Sequence, residues 1–201
     1  MASRIQSDFS NIALDPDLLS TPFKVQTLWH VITGAPSCGK TTLLNLLSKN
    51  GYRTVPEIAR SYMESEVVKG RSIAEIHADP ADLQRRIIAL QLGVENDLPA
   101  EDLIFLDGAV PSSLAWYRLF GLDPNQILSE CFHHRYASVF ILDQLPLHQD
   151  GLRFQDEALI GFLDQQLTQN YHDLGYNVIK VPVLPPEEWL AFVLERLSQG
   201  D

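Results

Sequence analysis

The sequence predicts a three-layer α/β fold in which helices cover both faces of a five-stranded parallel sheet. Short apolar runs alternate along the chain with segments of helical periodicity, and this alternation is typical of parallel sheets. The runs are compact, as expected of strands that are buried on both faces. The predicted strands are 28–32, 52–55, 103–106, 139–142 and 177–181.

The first predicted strand leads into the octapeptide GAPSCGKT, and a leucine-rich helix follows it. Residues 34–41 fit the pattern G-x-x-x-x-G-K-[ST], and a strand before it and a helix after it are the context of a phosphate-binding loop. Glycines allow such a backbone to wrap its N–H groups around a phosphate. Lys40 supplies a charge for the β- and γ-phosphates, and Thr41 a hydroxyl for Mg²⁺. The residues expected to bind a nucleoside triphosphate are Gly34, Ala35, Pro36, Ser37, Cys38, Gly39, Lys40, Thr41 and Thr42.

Composition limits the classes of partner. The chain has 201 residues, of which 45% are hydrophobic and 20% charged, and this is typical of a globular protein. Its net charge of −11, without a cluster of Lys and Arg, argues against nucleic acid or anionic lipid as a partner. Two cysteines and the absence of a signal segment or a long apolar run predict a cytoplasmic protein with no membrane contact.

The domain is predicted to occupy residues 27–201. Residues 1–26 are polar with scattered apolar positions and two prolines. This composition fits either a flexible tail or a short cap that docks on the domain. Helices are predicted after the phosphate loop and at 58–68, 80–97, 113–120, 156–174 and 186–197.

Two carboxylates follow predicted strands, at the edge of the sheet where parallel α/β proteins bind their ligands. Asp107 is placed to orient Mg²⁺ or its waters, although a strand-end Asp also commonly starts a turn with a residue such as Gly108. Glu57 could take a proton from an acceptor hydroxyl or help to hold the metal. Its alternative role is to place a charge at a helix N-terminus. Arg60, one turn further on, could bind a phosphate or lie on a solvated face.

Residues 144–155 form a polar segment with proline and glycine that is predicted to be a loop. Phosphoryl-transfer enzymes often close such a loop over the site and bring an arginine to the charge that develops on the transferred group. Arg153 is the candidate for this role, and a plain surface arginine is the alternative. The histidines show no metal-ligand spacing.

Four motifs in order carry a family resemblance: GAPSCGKTTLLNLLSKNGYRTVPEIAR, LIFLDGAVPSSLAWYRLFG, VFILDQLPLHQDGLRFQDEA and YHDLGYNVIKVPVLPPEEW. Over residues 28–197 the chain resembles the AAA-type P-loop ATPase/kinase domain family typified by the ribosylnicotinamide-kinase domain of bacterial NadR. The resemblance implies a thymidylate-kinase-like P-loop NTPase fold that binds ATP or GTP with Mg²⁺. It also implies a Pro-Glu-x-x-Arg element at Glu57 and Arg60, a carboxylate motif at Asp107 and a lid at Arg153.

The chain departs from the family pattern at three positions. The family usually has Arg directly after the strand-end Asp and a second Asp four residues later, where this chain has Gly108 and Ser112. Near the C-terminus, Trp189 stands where an Arg is frequent. Loss of one bidentate phosphate contact can cost on the order of a hundredfold in rate.

Two functions are consistent with these residues. The first is a kinase that transfers the γ-phosphoryl group to a nucleoside-like small molecule, with Lys40, Glu57, Asp107 and Arg153 as catalytic residues. The alternative is a nucleotide-dependent switch that hydrolyses ATP or GTP slowly and binds a protein partner or a second copy of itself. The chain lacks the Asn-Lys-x-Asp run that selects guanine, which favours ATP.

Overall fold

The structure of the chain is a computed structural model that describes residues 12–145 and 157–198. The strands are β1 (Val25–Gln26), β2 (Trp29–Thr33), β3 (Arg53–Val55), β4 (Ile104–Asp107), β5 (His134–Arg135), β6 (Ser138–Leu142) and β7 (Val178–Val181). The α-helices are α1 (Pro16–Leu19), α2 (Lys40–Lys49), α3 (Ile58–Val68), α4 (Ile73–Ile76), α5 (Pro80–Asn96), α6 (Ser113–Leu119), α7 (Glu157–Asp173) and α8 (Pro186–Ser198). Among the described residues, no helix has the length and apolarity needed to cross a bilayer.

Five of the strands form one parallel sheet in the order β3-β4-β2-β6-β7. One face packs on α5, α6 and α7, and the other packs on α2 and α8. Successive residues of β2 belong to opposite faces, since Val31 packs in the first core and Ile32 in the second. The predicted three-layer parallel α/β fold is confirmed.

The strand β2 lies at the centre of this sheet and pairs with β4 and β6. Ile32 is in register with Asp107, and the Gly108 N–H donates to the Ile32 carbonyl at 2.9 Å. This register brings the end of β4 beside the start of the loop that follows β2. The sheet therefore places a carboxylate next to the predicted phosphate loop.

The described part of the N-terminal segment packs against the domain. Asp15 caps α1, and its N–H donates to the Asn125 side chain at 2.8 Å. Leu14 is buried in the larger core, and β1 pairs in parallel with β5. Residues 12–26 thus make hydrogen bonds and apolar contacts with the 3₁₀ segment Pro124–Phe132 and the strand that follows it.

Several short elements were not predicted from the sequence. They are α1, β1, β5, the helix α4 and the 3₁₀ segments Val110–Ser112 and Pro124–Phe132. A two-residue strand has no periodicity to detect, and α4 is a single turn that depends on a capping box between Ser72 and Glu75. The five main strands begin and end within one residue of their predicted bounds.

His30 is a buried titratable group at the centre of the sheet. Its Nδ1 lies 2.7 Å from the Ser138 hydroxyl on β6, and its ring packs on Phe105. Burial lowers the pKa of His30 to about 4. Below the ordinary histidine pKa of about 6.5, the unfolded chain therefore binds a proton that the folded chain does not. This group makes the fold less stable as the pH falls from about 6.5 toward 4.

His30→Asn should remove this loss, because Asn keeps a hydrogen-bonding group near Ser138 but takes up no proton. Relative to wild type, the variant should gain up to about 3 kcal/mol in free energy of unfolding when the pH falls from 7 to 4. Urea unfolding at both pH values measures the gain. His172→Asn, at an exposed position on α7, is the control. Parallel pH profiles for wild type and His30→Asn would contradict the expectation.

Candidate phosphate-loop site

The phosphate loop follows β2 and turns sharply into α2. Gly34 and Gly39 have φ values of +144° and +104°, and Ser37 has a φ of +65°. A Cβ at Gly34 would lie 2.8 Å from the Cys38 sulfur and 2.9 Å from the Leu142 carbonyl oxygen. Glycine is thus required at 34 both for its backbone conformation and for its close approach to β6.

The lysine of the loop lies over the loop backbone. Lys40 is the first residue of α2, and its ammonium donates to the carbonyls of Gly34 and Ala35 at 3.0 Å each. Thr41 and Thr42 are exposed at the start of the same helix. Cys38 is fully buried, and burial raises the pKa of its thiol. It is therefore a packing residue rather than an activated thiol.

Trp189 packs against the loop. A Cβ at Gly39 would lie 2.5 Å from Cη2 of its indole, and the indole N–H donates to the Pro182 carbonyl at 2.8 Å. The ring is buried, and it is held between Gly39 on one side and its hydrogen bond to Pro182 on the other. It therefore fixes the position of the loop just before α2 begins. The residue that departs from the family pattern near the C-terminus thus supports the phosphate loop through packing.

Asp107 ends β4 and is almost completely buried. Its Oδ1 has no hydrogen-bond partner among the described residues. Burial raises the pKa of the Asp107 carboxyl to about 6; the positive charges of Lys40 and Arg60 oppose the rise, and the charge of Glu57 adds to it. An orphaned, buried carboxylate oxygen that shares a cavity with Lys40 and Thr41 is suited to a cation or to water bound to one. No group of three potential metal-ligating side chains occurs in the described part of the chain.

Glu57 and Arg60 lie at the start of α3, beside the same cavity. Glu57 is the residue before α3, and Arg60 Nε lies 3.4 Å from Glu57 Oε2. Both side chains are partly exposed, so this pair can separate at low cost to meet another charged group. The predicted lid residue Arg153 lies outside the described residues.

Ser112, where the family usually has a second Asp, belongs to a chain of hydroxyls. Its Oγ lies 3.0 Å from the hydroxyl of the buried Tyr171 and 3.4 Å from that of Thr33. The other departure, Gly108, has a φ of +75°. Beyond Asp107, this turn therefore presents a hydroxyl and no charge to the cavity.

A single cavity of about 850 Å³ joins these residues. One part, the loop compartment, is lined by residues 33–37, residues 39–42 and Asp107. The other part, the helical compartment, lies between α3, α5, α6 and α7. Its main lining residues are Met63, Gln84, Ile87, Gln91, Trp116, Phe120 and Leu163. Glu57 and Arg60 also line the cavity.

The helical compartment was not predicted from the sequence. Its residues belong to four helices whose facing sides cannot be deduced from periodicity alone. One signal was present, because Gln84 and Gln91 share a face of α5 with the apolar Ile87 at spacings of three and four. Amides on an otherwise apolar helix face indicate a buried polar contact or a ligand.

The family model of the AAA domain matches residues 29–188. The chain belongs to the AAA domain family. No curated protein matches it at a significant level. The P-loop domain resemblance that the sequence indicated is thus confirmed.

Solved structures of P-loop kinases share the fold of this AAA domain. NadR in complex with NR is 19% identical with a TM-score of 0.63, and the match covers 87% of this chain and 51% of that one. Thymidylate kinase from Ehrlichia chaffeensis is 14% identical with a TM-score of 0.60, and the match covers 87% and 99%. Shikimate kinase from Aquifex aeolicus is 17% identical with a TM-score of 0.51, and the match covers 85% and 96%. The AAA domain therefore has a thymidylate-kinase-like P-loop fold and spans about half the length of NadR.

Asp107→Asn should stabilise the AAA domain at pH 7 in the absence of nucleotide. The free energy of unfolding should rise by about 2–3 kcal/mol, because ionisation of the buried Asp107 carboxyl costs roughly that much. The gain should shrink as the pH falls from about 6 to 4, where the wild-type carboxyl is protonated when folded. Urea unfolding measures it, with the exposed Asp102→Asn as control. Equal stability of Asp107→Asn and wild type at pH 7 would contradict the expectation.

Gly39→Ala should destabilise the AAA domain through both backbone and packing. Positive φ costs an alanine about 1–2 kcal/mol, and overpacking against Trp189 costs about 1–3 kcal/mol more. In a Trp189→Leu background only the backbone part should remain. A double-mutant cycle by urea unfolding separates the two contributions. Strict additivity of the two substitutions would show that the indole does not press on Gly39.

Proposed function

We propose that the chain is an ATP-dependent kinase that transfers the γ-phosphoryl group to a hydroxyl of a nucleoside-like acceptor. The observation that carries this proposal is the shared cavity. A phosphate loop opens into a second compartment that is walled by apolar and aromatic side chains and by two amides. A switch that only hydrolyses nucleotide needs no such compartment beside its phosphates, whereas a kinase needs a place for its acceptor.

In this proposal the loop compartment binds the triphosphate. Backbone N–H groups of residues 34, 35 and 37–39 and the N-terminus of α2 would bind the β-phosphate, and the Lys40 ammonium would leave the loop carbonyls to bind phosphate oxygens. Thr41 and Asp107 would hold Mg²⁺ or its waters, and the orphaned Oδ1 of Asp107 fits that role. The ion would neutralise charge on the phosphates.

The acceptor would lie in the helical compartment with its hydroxyl near Glu57. The Glu57 carboxylate takes the hydroxyl proton, the acceptor oxygen bonds to the γ-phosphorus, and the bond from that phosphorus to the β–γ bridging oxygen breaks. The products are ADP and a phosphomonoester. Arg60 would bind phosphate oxygens once it separates from Glu57, to which it is paired at 3.4 Å in the absence of ligand. Arg153 is the proposed lid residue that closes over the γ-phosphate.

The second candidate function is a slow nucleotide-dependent switch with a protein partner. It is favoured by the turn after β4, where Gly108 and Ser112 replace charged residues of the family pattern. Without those charges, transfer loses groups that stabilise the transition state while nucleotide binding is retained. The two candidates differ in whether a small molecule raises nucleotide turnover.

Turnover of ATP and of GTP with Mg²⁺ should distinguish the two candidates. Each nucleotide is assayed alone and with pooled nucleosides that include nicotinamide riboside and thymidine. The kinase proposal expects at least one pool to raise ADP formation more than tenfold, with a phosphorylated nucleoside detected by mass spectrometry. Tight nucleotide binding with slow turnover in every pool would contradict it and favour the switch.

Lys40→Ala should lower kcat/KM for ATP by about a hundredfold or more, because one phosphate charge loses its counter-ion in a site shielded from water. The fold should survive, since the Lys40 ammonium donates chiefly to loop carbonyls. Lys49→Ala, at the exposed end of the same helix, is the matched control. Unchanged affinity of Lys40→Ala for a fluorescent ATP analogue would overturn the loop assignment.

Glu57→Gln should separate transfer from nucleotide binding. Without the carboxylate, phosphoryl transfer should fall by about 10²–10⁴-fold, as is usual for loss of a general base. Affinity for the ATP analogue should change less than threefold. The exposed Glu64→Gln on the same helix is the control. Loss of analogue affinity in Glu57→Gln equal to its loss of transfer would contradict a role as base.

A further inference from the structure

The helix α5 turns two glutamine amides toward the helical compartment. Gln84 and Gln91 are seven residues apart, which is about 10 Å along a helix, and both line the cavity although each side chain is more than nine-tenths buried. The side chain of Gln84 makes no hydrogen bond within the described residues. Amide groups that face a cavity are satisfied there by water or by the polar groups of a ligand.

The Gln91 side chain is hydrogen-bonded to the buried carboxylate of Glu95. Its Nε2 donates to Glu95 Oε1 at 2.8 Å, and the Glu95 side chain is completely buried. The other Glu95 oxygen accepts from the Tyr136 hydroxyl at 2.9 Å and lies 3.1 Å from His134 Nδ1. Three polar groups from α5 and from the β5 region thus converge on one carboxylate.

This arrangement fixes which end of the amide faces the cavity. A carboxylate accepts hydrogen bonds and does not donate them, so Gln91 must turn its NH₂ group toward Glu95. Its carbonyl oxygen is then free for the cavity, and no described donor contacts it. The helical compartment consequently offers the Gln91 carbonyl oxygen as a hydrogen-bond acceptor. A ligand could turn this amide round only by breaking its hydrogen bond with Glu95.

The charges around the cavity favour a ligand without a negative group at this end. Lys40 and Arg60 are the only Lys and Arg side chains among the described residues that line it. Lys40 belongs to the phosphate loop, and Arg60 pairs with Glu57. A carboxylate or phosphate placed beside Gln91 would face the Gln91 carbonyl oxygen and the buried charge of Glu95.

The remaining wall is aromatic. Trp116 on α6 and Phe120, the residue directly after that helix, lie one turn apart, with ring centroids 6.3 Å apart and ring planes 27° apart. Both line the cavity and can pack on the face of a planar ring. A flat heterocycle that meets these rings with its face could present its polar edge to α5.

We propose that Gln91 selects the acceptor through its side-chain carbonyl, and that Glu95 is the positioning residue that fixes the orientation of the Gln91 amide. The acceptor class is a nucleoside-like molecule whose planar heterocycle presents an uncharged N–H edge. This inference rests on the proposed kinase function for its reaction and on the cavity for its recognition.

Three pairs of ribosides, each differing at one polar edge, test the proposal. They are uridine with 3-methyluridine, inosine with 1-methylinosine, and nicotinamide riboside with nicotinic acid riboside. Affinities are measured by calorimetry on the full chain with Mg²⁺ and a non-hydrolysable ATP analogue. In at least one pair, wild type should bind the N–H member more than tenfold tighter. Failure to bind any N–H member, or a preference below twofold in every pair, would overturn the proposal.

Two variants test the roles of the residues. Gln91→Met keeps the length of the side chain and removes its carbonyl, so the preference should fall to about one while affinity for the ATP analogue stays within threefold. Glu95→Gln can donate as well as accept, which lets the Gln91 amide reverse, and the preference should fall at least fivefold. Gln165→Leu, at an exposed position on α7, is the control. An unchanged preference in Gln91→Met would overturn the assignment even if Glu95→Gln does not fold.

The same samples separate this inference from the proposed function. If the N–H members bind with the expected preference but ATP turnover does not rise and no phosphorylated riboside forms, recognition by Gln91 stands and the kinase proposal falls. If a riboside is phosphorylated but Gln91→Met leaves the preference unchanged in KM as well as in affinity, the kinase stands and the role of Gln91 falls.

Discussion

The pairing of β2 with β4 is the constraint on which the rest of this molecule depends. It puts Ile32 opposite Asp107, so the strand that leads into the phosphate loop and the strand that ends in the carboxylate finish at the same level of the sheet. Both strands are buried along their whole length, and a shift of register would turn apolar side chains away from their cores. The distance between the loop and its carboxylate is thus set by the packing of the whole sheet.

Near the ends of these two strands, the site contains energetically unfavourable features that are stabilised by the packing of the surrounding structure. Asp107 is a buried carboxylate with an orphaned oxygen, Ser37 has a positive φ, and Gly39 lies against an indole. Each feature costs free energy in isolation. All three lie in the phosphate loop or at the end of the strand β4 beside it, while the cores on both faces of the sheet are apolar. Such clustering is typical of a site that is built for a charged ligand.

The sequence was most informative where chemistry and local periodicity coincide. The five strands and the phosphate loop could be predicted because apolar runs and the glycine spacing are local signals. The contacts of Trp189 and Ser112 could not, because both depend on partners far along the chain, Gly39 and Tyr171. The same limit applies to the buried set around Glu95, whose partners lie on α5 and in the β5 region. A polar residue on an amphipathic helix has the same pattern whether it meets water or a buried partner.

The parallel sheet also determines how this molecule folds. Trp29 pairs with Ile104 and His30 with Ser138. The central strand β2 therefore becomes hydrogen-bonded only when β4 and β6, which are distant along the chain, have docked on it. Closing such long loops is slow, because chain entropy is lost before the contacts are gained. The phosphate loop reaches its final shape only when both neighbours of β2 have docked, since Gly34 lies against Leu142 of β6 and Gly108 donates to Ile32. A ligand that bound there would therefore contact a loop that takes shape last: it would slow unfolding of the whole sheet and have little effect on the rate of folding.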